Sequence, residues 1–179
     1  TTITKKNREP YTYNTSTYLG WILAKTKEDP KEIQDFIEQK IKPQIPHNFI
    51  HYTGYLIVTP DKFLNLNPLF EVKFIELFGR KLARDVKSKE ELKHAITVVP
   101  SNTELCINFT NDSGIDFVGD MLNVEIPEHF GHAAMMTITY YIIGFIQKQN
   151  QPYFKEHIKD YIKRNAKGDF GKAISTIVE

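Results

Sequence analysis

The first strongly patterned stretch is Tyr18-Leu19-Gly20-Trp21-Ile22-Leu23-Ala24, an aromatic and β-branched run between polar neighbours, which reads as a strand. Asp29 then offers an N-cap and Pro30 fits a first helical position. Ile33, Phe36, Ile37 and Ile41 form the stripe of that helix, which Pro43 and Pro46 end. Phe49 to Thr59 reads as a second strand, closed by Pro60. From Phe70 to Phe78, the alternation of Phe70, Val72 and Phe74 with Glu71 and Lys73 predicts a third. Ala95 to Val99 and Glu104 to Thr110 add two more, joined by the turn-like Pro100-Ser101-Asn102. The segment 132–143 carries enough Thr, Ile and Tyr to favour a strand. Pro152 to Asn165 spaces Tyr153, His157, Ile158, Tyr161 and Ile162 as a helix does.

A strand, a helix, a run of strands and a last helix make an α+β order. No internal repeat, low-complexity segment or Gly/Ser linker divides it, so the expected organisation is an N-terminal extension over 1–16 and a single domain over 17–179. Gly114, Gly119 and Gly131 mark the most irregular stretch. The charge run from Lys81 to Lys93 reads as a solvated turn or helix.

Composition narrows the function classes. The 179 residues are 41% hydrophobic and 25% charged, the balance of a soluble domain. Twenty-three Lys and Arg against 22 Asp and Glu leave a net charge of +1, so no global field recruits nucleic acid or an acidic membrane. Cys106 is the only cysteine, which excludes an internal disulfide and a thiolate metal cluster and suits a reducing, cytoplasmic setting. Lys5, Lys6 and Arg8 are followed by no apolar h-region, so the start does not read as a secretory signal. Between Glu128 and Lys148 lie 19 uncharged residues, but His129, His132, Thr137, Thr139, Tyr140, Tyr141 and Gln147 interrupt them. Such groups are costly in hydrocarbon, and no membrane partner is expected.

The most informative histidine is His51, in Ile50-His51-Tyr52-Thr53. On a strand, His51 and Thr53 share one face about 7 Å apart, where an imidazole and a hydroxyl can hold one phosphate. A different chemistry attaches to Asp61 with Glu71 and Lys73, which match the loose Asp...Glu-x-Lys pattern of Mg-dependent nucleases if Glu71 and Lys73 share a strand face. Sequences for zinc proteases, nucleotide kinases and serine hydrolases (His-Glu-x-x-His, a Walker loop, Gly-x-Ser-x-Gly) do not occur.

These motifs resemble the two-histidine phosphoesterases, and within them the 2',3'-cyclic-nucleotide 3'-phosphodiesterase-like domains. Tyr18-Leu19-Gly20-Trp21 resembles the strand before that family's first helix, Ile50-His51-Tyr52-Thr53 its first motif, and Ala95-Ile96-Thr97-Val98-Val99-Pro100 an inner strand and turn. Gly131-His132 stands where the second motif belongs, but Ala134 occupies the place of its hydroxyl residue, and Thr137 lies five positions on. The resemblance implies a two-lobed antiparallel-sheet fold and a phosphodiesterase that needs no metal or other cofactor. It implies His51, Thr53 and His132 as the catalytic set and Tyr18, Trp21, Tyr55 and Thr137 as substrate-binding residues. The implied partner is a cyclic nucleotide, an RNA end or a 2',5'-oligonucleotide, in a free-standing domain or one that belongs to a larger polypeptide. With the second motif degenerate, the alternative is a catalytically inactive nucleotide-, RNA- or protein-binding module of the same shape. The metal-dependent nuclease stands third.

Overall fold

Six apolar or β-branched residues, Gly54–Thr59 (β1), are buried along their whole length, the signature of a central strand with both faces covered. The other strands among the described residues are Ala83–Ser88 (β2), Glu104–Asn108 (β3) and Asp120–Asn123 (β4), joined in the order β2-β1-β3-β4. Every pairing is parallel. The computed structural model describes residues 15–95, 100–111, 114–115, 117–151, 157 and 160.

This sheet overturns the expected antiparallel architecture. The described residues do combine helices with a sheet, but that sheet is a single parallel one and does not divide into two lobes. A parallel pair needs a crossover rather than a hairpin, and the chain supplies them as helices. Asn67–Phe78 (α3) joins β1 to β2, and Lys89–Ala95 (α4) precedes β3. The first crossover moves one way across the sheet and the second moves back, so crossovers of one hand must lie on opposite faces. They do: Phe70, Phe74, Leu77 and Phe78 of α3 join Tyr55 and Ile57 in the large core, whereas Leu92 of α4 packs with Leu56, Val58 and Cys106 on the other face.

Among the described residues, three further helices lie on the large-core side: Thr15–Thr26 (α1), Pro30–Phe36 (α2) and His132–Gln149 (α5). The expected Asp29 cap and Pro30 start of α2 are present, with the Asp29 carboxylate accepting from the Lys31 amide at 2.8 Å. A π turn over Ile37–Ile41 continues it, burying Ile37 and Ile41. Lys27 closes α1 in the left-handed region at φ 58°, which turns the following Glu28 back toward α5.

Several expected strands are helices. Residues 18–24 lie in α1, 70–78 in α3 and 132–143 in α5. The α3 stripe of Phe70, Phe74, Leu77 and Phe78 follows the 3.6-residue period, which outweighs the local alternation at 70–74. In α5, small and β-branched residues bury most of the circumference, so no polar face advertised the helix. The expected strand over 49–59 begins only at Gly54, after a 3-10 turn at Phe49–His51. The charge run holds β2 and α4. Residues 96–99 of another expected strand, and most of the expected last helix, lie outside the described residues.

Candidate functional site at the carboxyl end of the sheet

The two histidines of the expected site lie by opposite ends of α5. His132 is the first residue of α5, and its Nε2 meets Asn65 Oδ1 at 3.1 Å just past the carboxyl end of β1. Gln149, the last residue of α5, accepts from the Ile50 amide at 3.2 Å and donates to the His47 carbonyl at 3.1 Å. His51 therefore sits by the far end of an 18-residue helix, and a rise of 1.5 Å per residue separates the two ends by about 27 Å. One phosphorus atom cannot lie between them.

The other expected residues are equally dispersed. Thr53 is exposed before β1, its amide donating to the Thr103 carbonyl at 2.8 Å. Tyr55 is fully buried, its hydroxyl donating to the Phe49 carbonyl at 3.1 Å, and burial raises its pKa far above the ordinary value. Trp21 is exposed on α1, and Tyr18 is on the same helix with its side chain outside the described residues. Thr137 spends its hydroxyl on the Ala133 carbonyl one turn back in α5, at 2.7 Å. Asp61 is exposed just after β1, whereas Glu71 and Lys73 lie on a helix, where residues two apart point to different sides. Lys73 pairs with Glu76 at 2.7 Å. Among the described residues, no three His, Cys, Asp or Glu side chains are grouped closely enough to hold a metal ion.

What the fold does assemble is a polar belt. Among the described residues, all four strands end on a hydrogen-bonding side chain: Thr59, Ser88, Asn108 and Asn123. Thr59 donates to Asn67 Oδ1 at 2.7 Å, tying the end of β1 to the start of α3. Ser88 and Glu91 form a reciprocal capping box at 2.8 and 3.1 Å. Asn108 accepts from the amide and hydroxyl of Thr110 and donates to Asn123 at 2.9 Å. With these inner groups satisfied by one another, the side chains beyond them face outward: Asp61, Asn65 and Asn111 are exposed, and His132 is half-buried.

Two charged side chains fix the rim. Lys62 donates to the carbonyls of Glu128 and Phe130 at 2.8 and 3.1 Å. On the other side of that segment, the Glu28 carboxylate accepts from the amides of Gly131, Ala133 and Ala134 at 2.8, 2.9 and 3.0 Å, filling the first turn of α5. Burial alone would raise the Glu28 pKa, but these backbone donors and the Thr26 hydroxyl outweigh it and hold the carboxyl below its ordinary range. His129 pairs with Glu32 at 2.7 Å, and Phe36 packs edge-on to Phe130 with centroids 5.2 Å apart.

Sequence reasoning missed Asn65 and Asn111 and the role of Glu28. The available signal was the polar residue closing each short apolar run, followed by turn-forming residues. Comparison with protein-family models, curated proteins and solved structures gives no match.

Proposed function

We propose that the chain is a binding module for a nucleoside or nucleotide, seated at the carboxyl end of the sheet between β1 and β3. The observation that carries this reading is the reversal of strand order at that point. After β1 the chain leaves by α3 on one face, whereas Ile115 and Phe117, beyond β3, pack on the other. Connections that diverge in this way mark the place where open parallel sheets take their ligands. The exposed groups around it suit a ribose and a base edge: the Asp61 carboxylate accepts from hydroxyls, and the side-chain amides of Asn65 and Asn111 both donate and accept. His132 adds an imidazole that can donate or accept a hydrogen bond. A cytoplasmic setting goes with this reading, since Cys106 is a buried free thiol. Hydrolysis by a His51–His132 pair is not part of it, given the length of α5 between them.

Calorimetric titration with adenosine, AMP and 2',3'-cyclic AMP tests the proposal. Saturable binding is expected for at least one, weakened about tenfold in Asp61→Ala, or about 1.4 kcal/mol, with melting unchanged. Absence of saturable heat with all three, or binding indifferent to both Asp61→Ala and Asn111→Ala, overturns it.

A further inference from the structure

The β2 edge of the sheet is open among the described residues, and its hydrogen-bonding parity limits what can pair there. The Ala83 amide donates to the Thr53 carbonyl at 2.8 Å, so Ala83, Asp85 and Lys87 direct their backbone groups toward β1. Arg84, Val86 and Ser88 direct theirs outward. The Ser88 amide is taken by Glu91 at 2.8 Å, leaving Arg84 and Val86 to present an unpaired edge. At the opposite side of the sheet, β4 is only four residues long.

We infer that a second copy of this chain pairs with this edge, β2 against β2 in antiparallel sense about a twofold axis through Val86. In a symmetric or near-symmetric pairing the outward residues must face one another, which leaves three registers. Arg84 against Arg84 opposes two guanidinium groups. Arg84 against Val86 sets Asp85 opposite Asp85. Val86 against Val86 sets Asp85 opposite the partner's Lys87, twice by symmetry. Opposite charges directly across an antiparallel pair are favourable and like charges are not, so the edge is complementary to itself in one register only. Both side chains are accessible for this: the Asp85 and Lys87 side chains are 50% and 31% exposed, and within one copy they already meet at 3.1 Å. In the pair, the four groups form one alternating cluster. The same charges discourage less specific strand addition, as charged edges do.

A neighbouring feature supports the choice of this edge. α3 lies against β2, and its outward side carries Val72 and Ile75, 48% and 45% exposed, where a solvated helix carries polar groups. A twofold through Val86 brings the second α3 to the same side of the joined sheet.

Sedimentation of the whole chain across micromolar to near-millimolar concentrations is the test, with melting curves to show that each variant is folded. The wild type is expected to dimerise. Asp85→Lys opposes two ammonium groups at each cross-strand pair, and Lys87→Asp opposes two carboxylates, so each alone is expected to be monomeric. An equal mixture of the two restores both opposite-charge pairs and is expected to dimerise again. If either single variant does not fold, the double exchange Asp85→Lys with Lys87→Asp, which also restores complementarity, decides in its place. A wild type that stays monomeric, single variants that dimerise as it does, or a mixture that stays monomeric overturns the inference.

Discussion

Glu28 and Gly131 are fitted to one another: the Gly131 amide donates to Glu28 Oε2 at 2.8 Å, and a Cβ at position 131 would stand 2.8 Å from Glu28 Oε1. Gly131 has a φ of −105°, so the need for glycine here is one of space rather than of backbone conformation. The chain thus joins two segments 103 residues apart through one carboxylate and the first turn of one long helix.

Gly131→Ala is therefore expected to displace the Glu28 carboxylate and release the three amides it holds. Hydrogen bonds to a charged group contribute about 1.5–3 kcal/mol each at most, and water can replace part of this at a half-buried site, so a loss of about 1–3 kcal/mol is expected. Thermal denaturation should show a melting temperature lower by about 2–12 °C, at 2–4 °C per kcal/mol for a chain of this size. A melting temperature equal to the wild type would show that the contact does not hold the helix.

The same carboxylate sets a pH dependence. Its pKa is lower in the folded chain than the ordinary 4.5. A depressed carboxyl contributes stability above its unfolded pKa and loses it as the pH falls through the folded one. Wild type should exceed Glu28→Gln in melting temperature at pH 7, and the gap should close as the pH is lowered from about 5 through the acid range. Melting curves of both proteins at steps of pH check this; a gap independent of pH would assign the effect to packing instead.

Cys106 lies beneath α4 on the smaller face of the sheet, fully buried, and burial followed by the nearby Glu104 charge pushes its thiol up to about 12. The thiolate is the reactive form, so alkylation at pH 8 is expected to be slow in the folded protein and fast in denaturant. Labelling followed by mass spectrometry would read this directly. Rapid labelling under native conditions would mean that the smaller face opens readily.

The sequence made part of this architecture legible. Asp29 and Pro30 located α2, and the runs ending in Thr59 and Thr110 located β1 and β3, because a cap and a short apolar run are local signals. Helices α1, α3 and α5 read as strands for a common reason. Their aromatic and β-branched residues favour strands in isolation, but the tertiary core rewards them in helices when they fall at three- and four-residue spacing, as Phe70, Phe74 and Phe78 do. Losing those strands also lost the expected site: His51 shares a 3-10 turn with Phe49 and Ile50, not a strand with Thr53. That α5 runs the length of the sheet between His51 and His132 depends on contacts such as Gln149 with Ile50, 99 residues apart, which no local pattern encodes. The metal pattern that points to Asp61 is dismantled by the helix carrying Glu71 and Lys73, yet the place of Asp61 after β1 keeps it in the candidate site.

The dispersal of the histidines has a direct kinetic consequence. If any turnover of a 2',3'-cyclic nucleotide is found, His51→Ala should retain it within about twofold, since an imidazole about 27 Å from His132 cannot act with it as acid and base on one phosphate. General acid–base groups acting together contribute about 10²–10⁴-fold each, so a true pair would be unmistakable in the same assay. The single variants separate the remaining roles. His51→Ala removes an exposed side chain and should leave melting unchanged, whereas His132→Ala removes the contact to Asn65 and the edge-on packing against Phe63, with centroids 5.4 Å apart, and should lower the melting temperature slightly. A loss of turnover by two or more orders of magnitude in each single variant would require the two rings to meet, and would contradict the path of α5.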